Sequence, residues 1–346
     1  MNMRIIVLGT LIMVILFSCH YEDKIKILDT GKIDADTLHG EIQFPVIAIL
    51  AGDIIVFDSL LLVTTPFNPD EFFSIFSLDG RIIGSFNKRG RGPDEYIMPS
   101  PRKIGKNKLS LWDTNNTFSE ILIEFDANNE IEFKLLNRHK INEPGYHVYR
   151  LNPELYVSTI HEKGLLALFN NNGELIEYFG SNPLEIEPKN FHRYQGSIAF
   201  SDLDDTFVFG SGSFDYICAY EVNEMNQPLL KWEFYLHQEP YYTLVDGDVS
   251  WDANSHVQGI KDIQLINDKI LVLYSGRSIL LPKNQPEGAF SDNLYILNMK
   301  GEILKKYKLD TAVLQVSYSE NNSAIYGITM TDDWQVVKFD FPDLNL

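Results

Sequence analysis

The sequence predicts an all-β chain folded as a six-bladed β-propeller with four antiparallel strands per blade. Two observations lead to this prediction: a β-hairpin pattern recurs along the whole chain, and further short apolar runs precede each copy. A hairpin that returns about every forty to seventy residues is typical of stacked blades rather than of one continuous sheet.

Each hairpin copy consists of a hydrophobic run, a polar turn and a second hydrophobic run. The copies lie at 72–86, 119–136, 165–180, 214–234, 292–309 and 335–346, the last one cut short by the end of the sequence. They supply the two outer strands of each blade.

The two inner strands of each blade come from the runs upstream of the hairpins. The second strands are predicted at 59–65, 107–113, 153–160, 205–211, 268–275 and 323–330, and the innermost strands at 52–57, 100–105, 146–151, 196–201, 259–266 and 312–318. These runs are short and rich in Ile, Val, Phe and Tyr, which favours β-strands over helices.

The last blade needs an outer strand from elsewhere in the chain. Either LNL at the C-terminus (344–346) or the early segment KIKILDTGKI (24–33) could supply it, and we expect the early segment to do so.

The N-terminus carries an export signal. An apolar stretch from Ile5 to Phe17 follows a short, weakly basic start, and it has the length of a signal-peptide core rather than of a membrane-spanning helix. It ends in Leu-Phe-Ser-Cys, which resembles the lipobox of bacterial lipoproteins. We therefore expect a signal peptide at 1–18, lipidation of Cys19, a tether at 19–23 and the propeller at 24–346. A plain secretory signal and an uncleaved anchor are the alternatives.

Cys218 is the other cysteine of the chain. If Cys19 is acylated, no intramolecular disulfide can form, so the fold must be stabilised by its core alone. Cys218 lies in a strand-like alternation, FDYICAYEV, and we expect it to be a buried hydrophobic residue rather than a reactive thiol.

The charge of the chain limits its partners. The formal net charge is −19, so phosphate groups of nucleic acids and of anionic lipids would be repelled. We expect no nucleic-acid partner, contact with a membrane only through the N-terminal lipid, and a monomer.

Two parts of the sequence carry a family resemblance. The stretch GSFNKRGRGPDEY (84–96) resembles the glycine-rich G-x-G-P-x-E-[YF] motif of exported six-bladed propellers. The pieces GIKD (259–262), ILVLYSGR (270–277), LYILNMKGEILKKYKLD (294–310) and IYGI (325–328) are similar to the TolB-like six-bladed propeller family. The resemblance implies an exported lipoprotein of a Gram-negative envelope, anchored in the outer membrane. Because activity in that family is generally unassigned, it implies no chemistry.

The glycine-rich stretch has two interpretations. It can be a turn between the first two blades whose polar groups are bonded within the turn itself. In that case Asp94 and Glu95 pair with Arg89 and Arg91 or accept backbone N–H groups. Alternatively, the two arginines and Tyr96 contact a ligand carboxylate or sugar, since paired arginines can clamp an anion.

The longest loops fall on one predicted face of the ring. Loops that join second to third strands, and loops that join one blade to the next, emerge on the same side of a propeller. That side collects 84–96, 113–118, 160–164, 180–195, 237–256, 275–292 and 331–334. Elaborated loops on a rigid scaffold are typical of binding sites. Their aromatic rings suit saccharide or peptide recognition, or simply pack the loops onto the ring. The candidate ligand-binding residues are Arg89, Arg91, Asp94, Glu95, Tyr96, His161, His192, Tyr194, Trp251, His256, Arg277 and Trp334.

Catalytic patterns are scarce. The segment VDGDVSWD (245–252) lacks the spacing and terminal Glu of a calcium loop, and the histidines form no zinc-binding pair. A metal in the central channel would need inward-pointing ligands, and the innermost strands offer only the carboxylates Asp53 and Asp262. We therefore expect a binding module that engages a glycan, peptide or protein through its long-loop face, with no cofactor, metal or catalysis. The alternative is a propeller hydrolase or lyase with a metal in the channel.

Overall fold

The computed structural model is a six-bladed β-propeller, which confirms the predicted fold class. It describes residues 25–28, 30–92, 95–125, 130–142, 147–161, 164–180, 183–184, 195–201, 205–252, 255–278 and 289–341. The predicted signal peptide, Cys19 and the tether lie outside these residues. Within them, no helix is long and apolar enough to cross a membrane.

The first described strands run along the outer edges of three blades. They are β1 (Lys26–Ile27), β2 (Asp36–Leu38) and β3 (Gly40–Pro45), with a 3-10 turn at Thr30–Lys32 between the first two. Strand β1 pairs in parallel with the outer strand of blade 4, and β2 does the same on blade 5. Strand β3 pairs antiparallel with blade 6 and completes it.

The prediction that residues 24–33 close the ring was therefore wrong, because Gly40–Pro45 does so. The physical reason lies in the connections. Elsewhere in the ring, the outer strand of one blade is followed along the chain by the inner strand of the next blade. Strand β3 is followed by the inner strand of blade 1 in the same way, whereas 24–33 lies too early in the chain.

The blades follow one another in chain order. Blade 1 contains β4 (Ile54–Phe57), β5 (Leu60–Thr64), β6 (Glu71–Ser77) and β7 (Ile82–Arg89), with β8 (Glu95–Tyr96) added at its edge. Blade 2 contains β9 (Pro99–Gly105), β10 (Lys108–Asp113), β11 (Thr117–Phe125) and β12 (Ile131–Lys140). Blade 3 contains β13 (Val148–Asn152), β14 (Leu155–His161), β15 (Gly164–Asn170) and β16 (Leu175–Phe179).

Blade 4 contains β17 (Gly196–Ser201), β18 (Thr206–Ser211), β19 (Tyr216–Val222) and β20 (Pro228–Tyr235). A separate hairpin follows, formed by β21 (Tyr242–Val245) and β22 (Asp248–Trp251). Blade 5 contains β23 (Ile260–Ile266), β24 (Lys269–Tyr274), β25 (Ser291–Asn298) and β26 (Ile303–Val313). Blade 6 contains β27 (Val316–Ser319), β28 (Ala324–Met330) and β29 (Trp334–Asp340), followed by β3.

The inner and second strands lie where the sequence predicted them, with one exception. The innermost strand of blade 6 begins at Val316 rather than at Ala312, because Ala312 and Val313 end the outer strand of blade 5. The last hairpin differs, because β29 pairs with β3, and the predicted partner run at the C-terminus lies outside the described residues. The second strand of each blade is almost wholly buried, since neighbouring blades cover both of its faces. Such strands read as continuous apolar runs.

The core consists of hydrophobic clusters, one between each pair of neighbouring blades. The cluster between blades 6 and 1 includes Tyr326, Leu61 and Phe44 of the closing strand, so the ring is closed by packing as well as by strand pairing. Cys218 is fully buried between blades 3 and 4, and burial raises the pKa of its thiol. It therefore behaves as a small hydrophobic residue.

Candidate functional site: the channel and the long-loop face

The strand order places the long connections on one face of the ring, which we call the long-loop face. It is formed by the loops from second to third strands and by the loops between blades. Every innermost strand starts at this face, because it follows a connection between blades. Residues early in the innermost strands therefore lie at the end of the central channel that opens on the long-loop face.

The central channel is a cavity of about 380 Å³ lined by all six innermost strands. Side chains from three of these strands tie neighbouring blades together. Lys103 Nζ donates to the carbonyl of Val56 at 2.8 Å, and Ser317 Oγ accepts from the Val56 N–H at 3.0 Å. Gln264 donates to the carbonyl of Val316 and accepts from the Tyr318 N–H at 3.1 Å. These bonds satisfy backbone groups that the channel would otherwise leave unpaired, and they hold its wall in place.

Arg102 is the centre of a charged group near the long-loop end of the channel. Its Nη1 lies 3.2 Å from Asp53 Oδ1, and both side chains are about four-fifths buried. Its guanidinium carbon lies 5.7 Å from the centre of the Tyr149 ring. Burial alone would lower the pKa of Arg102, but Tyr149, Asp53 and Asp262 outweigh burial and raise it. The guanidinium is therefore permanently charged and compensates two carboxylates.

Asp262 is the more deeply buried of these carboxylates. Burial raises its pKa to about 6, although Arg102 and a hydrogen bond from Gln264 at 3.1 Å oppose the rise. His147, directly before β13, is kept neutral because burial and then the charge of Arg102 lower its pKa to about 3. Burial also lowers the pKa of Lys261 to about 8. Burial and one arginine thus set the charge states of the polar groups in and beside the channel.

The charged group around Arg102 concerns the alternative function, a hydrolase or lyase with a metal ion in the channel. Among the described residues, no three His, Cys, Asp or Glu side chains converge as a ligand set. The two carboxylates that the sequence offered, Asp53 and Asp262, interact with Arg102. A divalent cation bound between them would have to displace a buried guanidinium, which costs its ion pair.

The glycine-rich stretch is tied to itself and to its neighbours. Glu95 accepts the Gly92 N–H at 2.7 Å, and the Gly90 N–H donates to the Tyr96 carbonyl at 3.0 Å. A Cβ on Gly90 would lie 1.9 Å from the Glu95 carboxylate, so a larger residue there would displace Glu95 from the Gly92 N–H. The guanidinium carbon of Arg89 lies 4.2 Å from the centre of the Phe72 ring, and the Arg89 side chain donates to the carbonyls of Pro66 and Asn68.

These contacts are those expected of the first interpretation, a turn whose polar groups are bonded within the turn itself. The acceptors for Arg89, however, are carbonyls rather than carboxylates. Tyr96 is buried, with the Arg138 guanidinium 4.7 Å over its ring. Arg91 is exposed. Asp94 lies outside the described residues.

The predicted aromatic residues pack the loops onto the ring. His256 is buried and stacks on Trp251 with ring centres 4.2 Å apart. Trp334 is buried and stacks on Phe290, with ring centres 6.1 Å apart. Its Nε1 donates to the Ile49 carbonyl at 3.4 Å. Their faces are therefore directed into packing contacts rather than into solvent.

Arg277 lies in an ion-pair cluster at the base of the 275–292 loop. It contacts Asp292, which also lies 2.7 Å from Lys308. The cluster joins the two ends of the loop to the outer strand of blade 5. His192 and Tyr194 lie outside the described residues, as does the side chain of His161. The described members of the predicted set therefore lie in separate contacts, and the role of the twelve residues in ligand binding stays a prediction.

Sequence reasoning missed the exposed apolar side chains of the long-loop face. Ile47 is 91% exposed and Ile49 82% exposed, in the connection between blades 6 and 1. Further large apolar side chains are exposed on the same face at Phe67, Met98, Tyr241, Leu244, Val245 and Met330. An apolar run such as VIAIL (46–50) reads as a core strand, and nothing in its pattern indicates a loop.

Comparison with known proteins supports the fold. No protein-family model matches the sequence, and no curated protein matches it. Among solved structures, the chain is similar to a protein from Bacteroides fragilis NCTC 9343 that is described as exported. Their TM-score is 0.54 at 11% identity over 91% of this chain and 98% of that one. At this identity the likeness shows a shared fold and no more.

Two further solved structures are more distant. BBS1N in complex with ARL6DN has a TM-score of 0.42 at 12% identity, over 83% of this chain and 76% of that one. BamB from Moraxella catarrhalis has a TM-score of 0.36 at 13% identity, over 85% and 70%. At these TM-scores the likeness is too low to carry an inference about this chain.

Proposed function

We propose that this chain is a lipid-anchored propeller of a Gram-negative envelope that binds another protein or peptide through its long-loop face. The observation that carries the proposal is the set of exposed apolar side chains on that face, above all Ile47 and Ile49. Large apolar side chains that are exposed together on one face of a domain are typical of protein interaction sites. The export signal and the lipobox-like Cys19 support the location, as does the described export of the Bacteroides protein.

A protein or peptide partner fits this face better than a glycan. Saccharide sites present flat aromatic faces to solvent, whereas Trp251, His256 and Trp334 pack against the ring. The exposed side chains are mostly aliphatic, and aliphatic groups gain most from contact with other apolar side chains. The resemblance to TolB-like propellers remains part of this proposal and adds no activity to it.

The test compares two sets of exposed isoleucines. Ile47→Lys with Ile49→Lys charges the long-loop face, and Ile82→Lys charges the outer strand of blade 1, where the residue is also exposed. We expect the double variant to lose the proteins that co-purify with the cross-linked wild-type chain, and the control to keep them. Equal recovery from both variants would contradict the proposal.

The anchor is tested separately. Cys19→Ala should abolish the incorporation of labelled palmitate into the chain. Equal labelling of the wild type and the variant, or no labelling of either, would contradict lipid anchoring while leaving the interaction face untouched.

A further inference from the structure

The connection between blades 4 and 5 contains a hairpin that belongs to no blade. Its strands β21 and β22 are joined by Asp246 and Gly247, both with positive φ (54° and 78°). Two central residues with positive φ form the tight turn that matches the twist of paired strands. The hairpin therefore has a defined register rather than being an irregular loop.

The base of the hairpin is fixed to the ring by aromatic contacts. Tyr242 lies opposite Trp251, with ring centres 6.1 Å apart, and its hydroxyl donates to the Leu184 carbonyl. Trp251 in turn stacks on buried His256. On β22, Val249 is also buried. The hairpin is thus held in one position, and its tip projects from the long-loop face.

Among the described residues, one edge of this hairpin has no partner strand. No other described strand pairs with β21 or β22. In a two-residue hairpin the residues flanking the turn form a hydrogen-bonded pair, and pairs alternate from there. Val245 and Asp248 flank the turn, so the backbone N–H and C=O of Leu244 point outward. On the opposite edge, the Val249 N–H donates to Asp248 Oδ1 at 2.8 Å. The open edge is therefore that of β21.

The residues along this edge are apolar and exposed. Tyr241 is 57% exposed, and Leu244 and Val245 are each 55% exposed. Proteins usually protect an open strand edge with a charge, a proline or a bulge, because such an edge recruits further strands. Strand β21 contains none of these.

The segment of the chain that carries the hairpin is acidic. Between Lys231 and Lys261 the sequence has Glu233, Glu239, Asp246, Asp248 and Asp252 and no Lys or Arg. A basic partner is attracted to this segment, whereas an anionic lipid surface is repelled. Charge complementarity thus favours a basic protein segment, rather than an anionic membrane surface, as the partner of this hairpin.

We propose that the β21 edge binds an extended segment of a partner protein, in which apolar residues alternate with Lys or Arg. The segment adds a third strand beside β21, bonds to the Leu244 backbone and covers Leu244 and Val245. This inference rests on the proposed function, because it names the chemistry of the partner at the same face.

The probe is a synthetic ten-residue peptide of alternating valine and lysine, labelled for fluorescence anisotropy and titrated against the full chain in detergent. Leu244→Pro removes the outward N–H and the exposed side chain, and an edge strand tolerates proline where the N–H faces solvent. We expect the peptide to bind about tenfold more weakly to this variant. Ile82→Lys, at an exposed position on the outer strand of blade 1, is the control and should leave peptide affinity unchanged.

Two altered peptides keep the test independent of the variant. Methylation of the backbone nitrogens on one edge removes the main-chain donors and keeps the charge, and it should also weaken binding about tenfold. Replacing lysine by glutamate should abolish binding at low salt. The inference is overturned if the methylated peptide or the Leu244→Pro variant binds as well as the original.

The remaining outcome concerns the membrane. If zwitterionic vesicles bind the chain in a manner that depends on Leu244 while the peptide does not bind, the occupant is a lipid surface and the inference is wrong. If partner proteins depend on Ile47 and Ile49 but not on Leu244, the proposed function stands and this inference fails.

Discussion

Replacing Asp215 by asparagine should remove a pH dependence from the folding free energy of this propeller. Asp215 is buried in blade 4, where it accepts from the Tyr274 hydroxyl at 2.8 Å and from the Gln238 N–H at 3.3 Å. Burial raises its pKa from 3.8 to about 7, and the two hydrogen bonds only partly oppose this. The residue matters for the site because Gln238 begins the connection that carries the hairpin.

The sign of the effect follows from proton linkage. Between pH 4 and 7 the unfolded chain releases the Asp215 proton before the folded chain does, so the free energy of unfolding falls as pH rises. A shift of about three pKa units corresponds to about 4 kcal/mol, lost between pH 4 and 7 and constant above. Asp215→Asn cannot ionise. It should match the wild type at pH 4 and exceed it by up to about 4 kcal/mol at pH 7.5.

Urea unfolding followed by tryptophan fluorescence at several pH values measures this difference. Asp262, whose pKa is also raised, is present in both chains, so its effect cancels in the comparison. Tyr274→Phe is the companion variant: without its hydrogen bond the pKa of Asp215 rises further, and the loss of stability should extend above pH 7. A difference between wild type and Asp215→Asn that is the same at pH 4 and pH 7.5 would refute the reasoning.

Three further predictions concern the channel, the ring closure and the glycine-rich turn. Arg102→Met leaves Asp53 and Asp262 without their counter-charge, so urea unfolding at pH 7.5 should show a loss of about 3–5 kcal/mol, partly restored by adding Asp262→Asn. Phe339→Ala removes a fully buried ring on β29, beside the closing strand, and should cost about 3–5 kcal/mol. Gly90→Ala should cost about 1–3 kcal/mol because its Cβ meets the Glu95 carboxylate. Adding Glu95→Ala should recover part of that loss, and strictly additive costs would contradict the contact.

The strands could be predicted from the sequence because burial of a strand determines which residue types it contains. Strands such as β18 and β28 are buried on both faces, and they therefore read as unbroken apolar runs. The closing strand β3 could not be found in this way. Most of its residues are exposed or half-buried, so it carries no apolar run, and only the order of connections identifies it.

The candidate site was predicted less well, for two physical reasons. The group of Asp53, Arg102 and Asp262 comes together only through the ring, since the three residues belong to blades 1, 2 and 5. The exposed apolar loops gave no signal, because Ile47 and Ile49 look like core residues in sequence. The hairpin at 242–251 could have been found, since Asp-Gly between apolar residues is a strong hairpin signal.

Site-specific photo-cross-linking in cells tests the central claim, that the long-loop face is the interaction face. A photoreactive amino acid is placed at Ile49 or Val245 on that face, and at Ile82 or Met225 on the outer strand and the opposite face, all exposed positions. We expect a discrete cross-linked partner from Ile49 or Val245 and none from Ile82 or Met225. Cross-links that form only at Ile82 or Met225, or equally at all four positions, would contradict it.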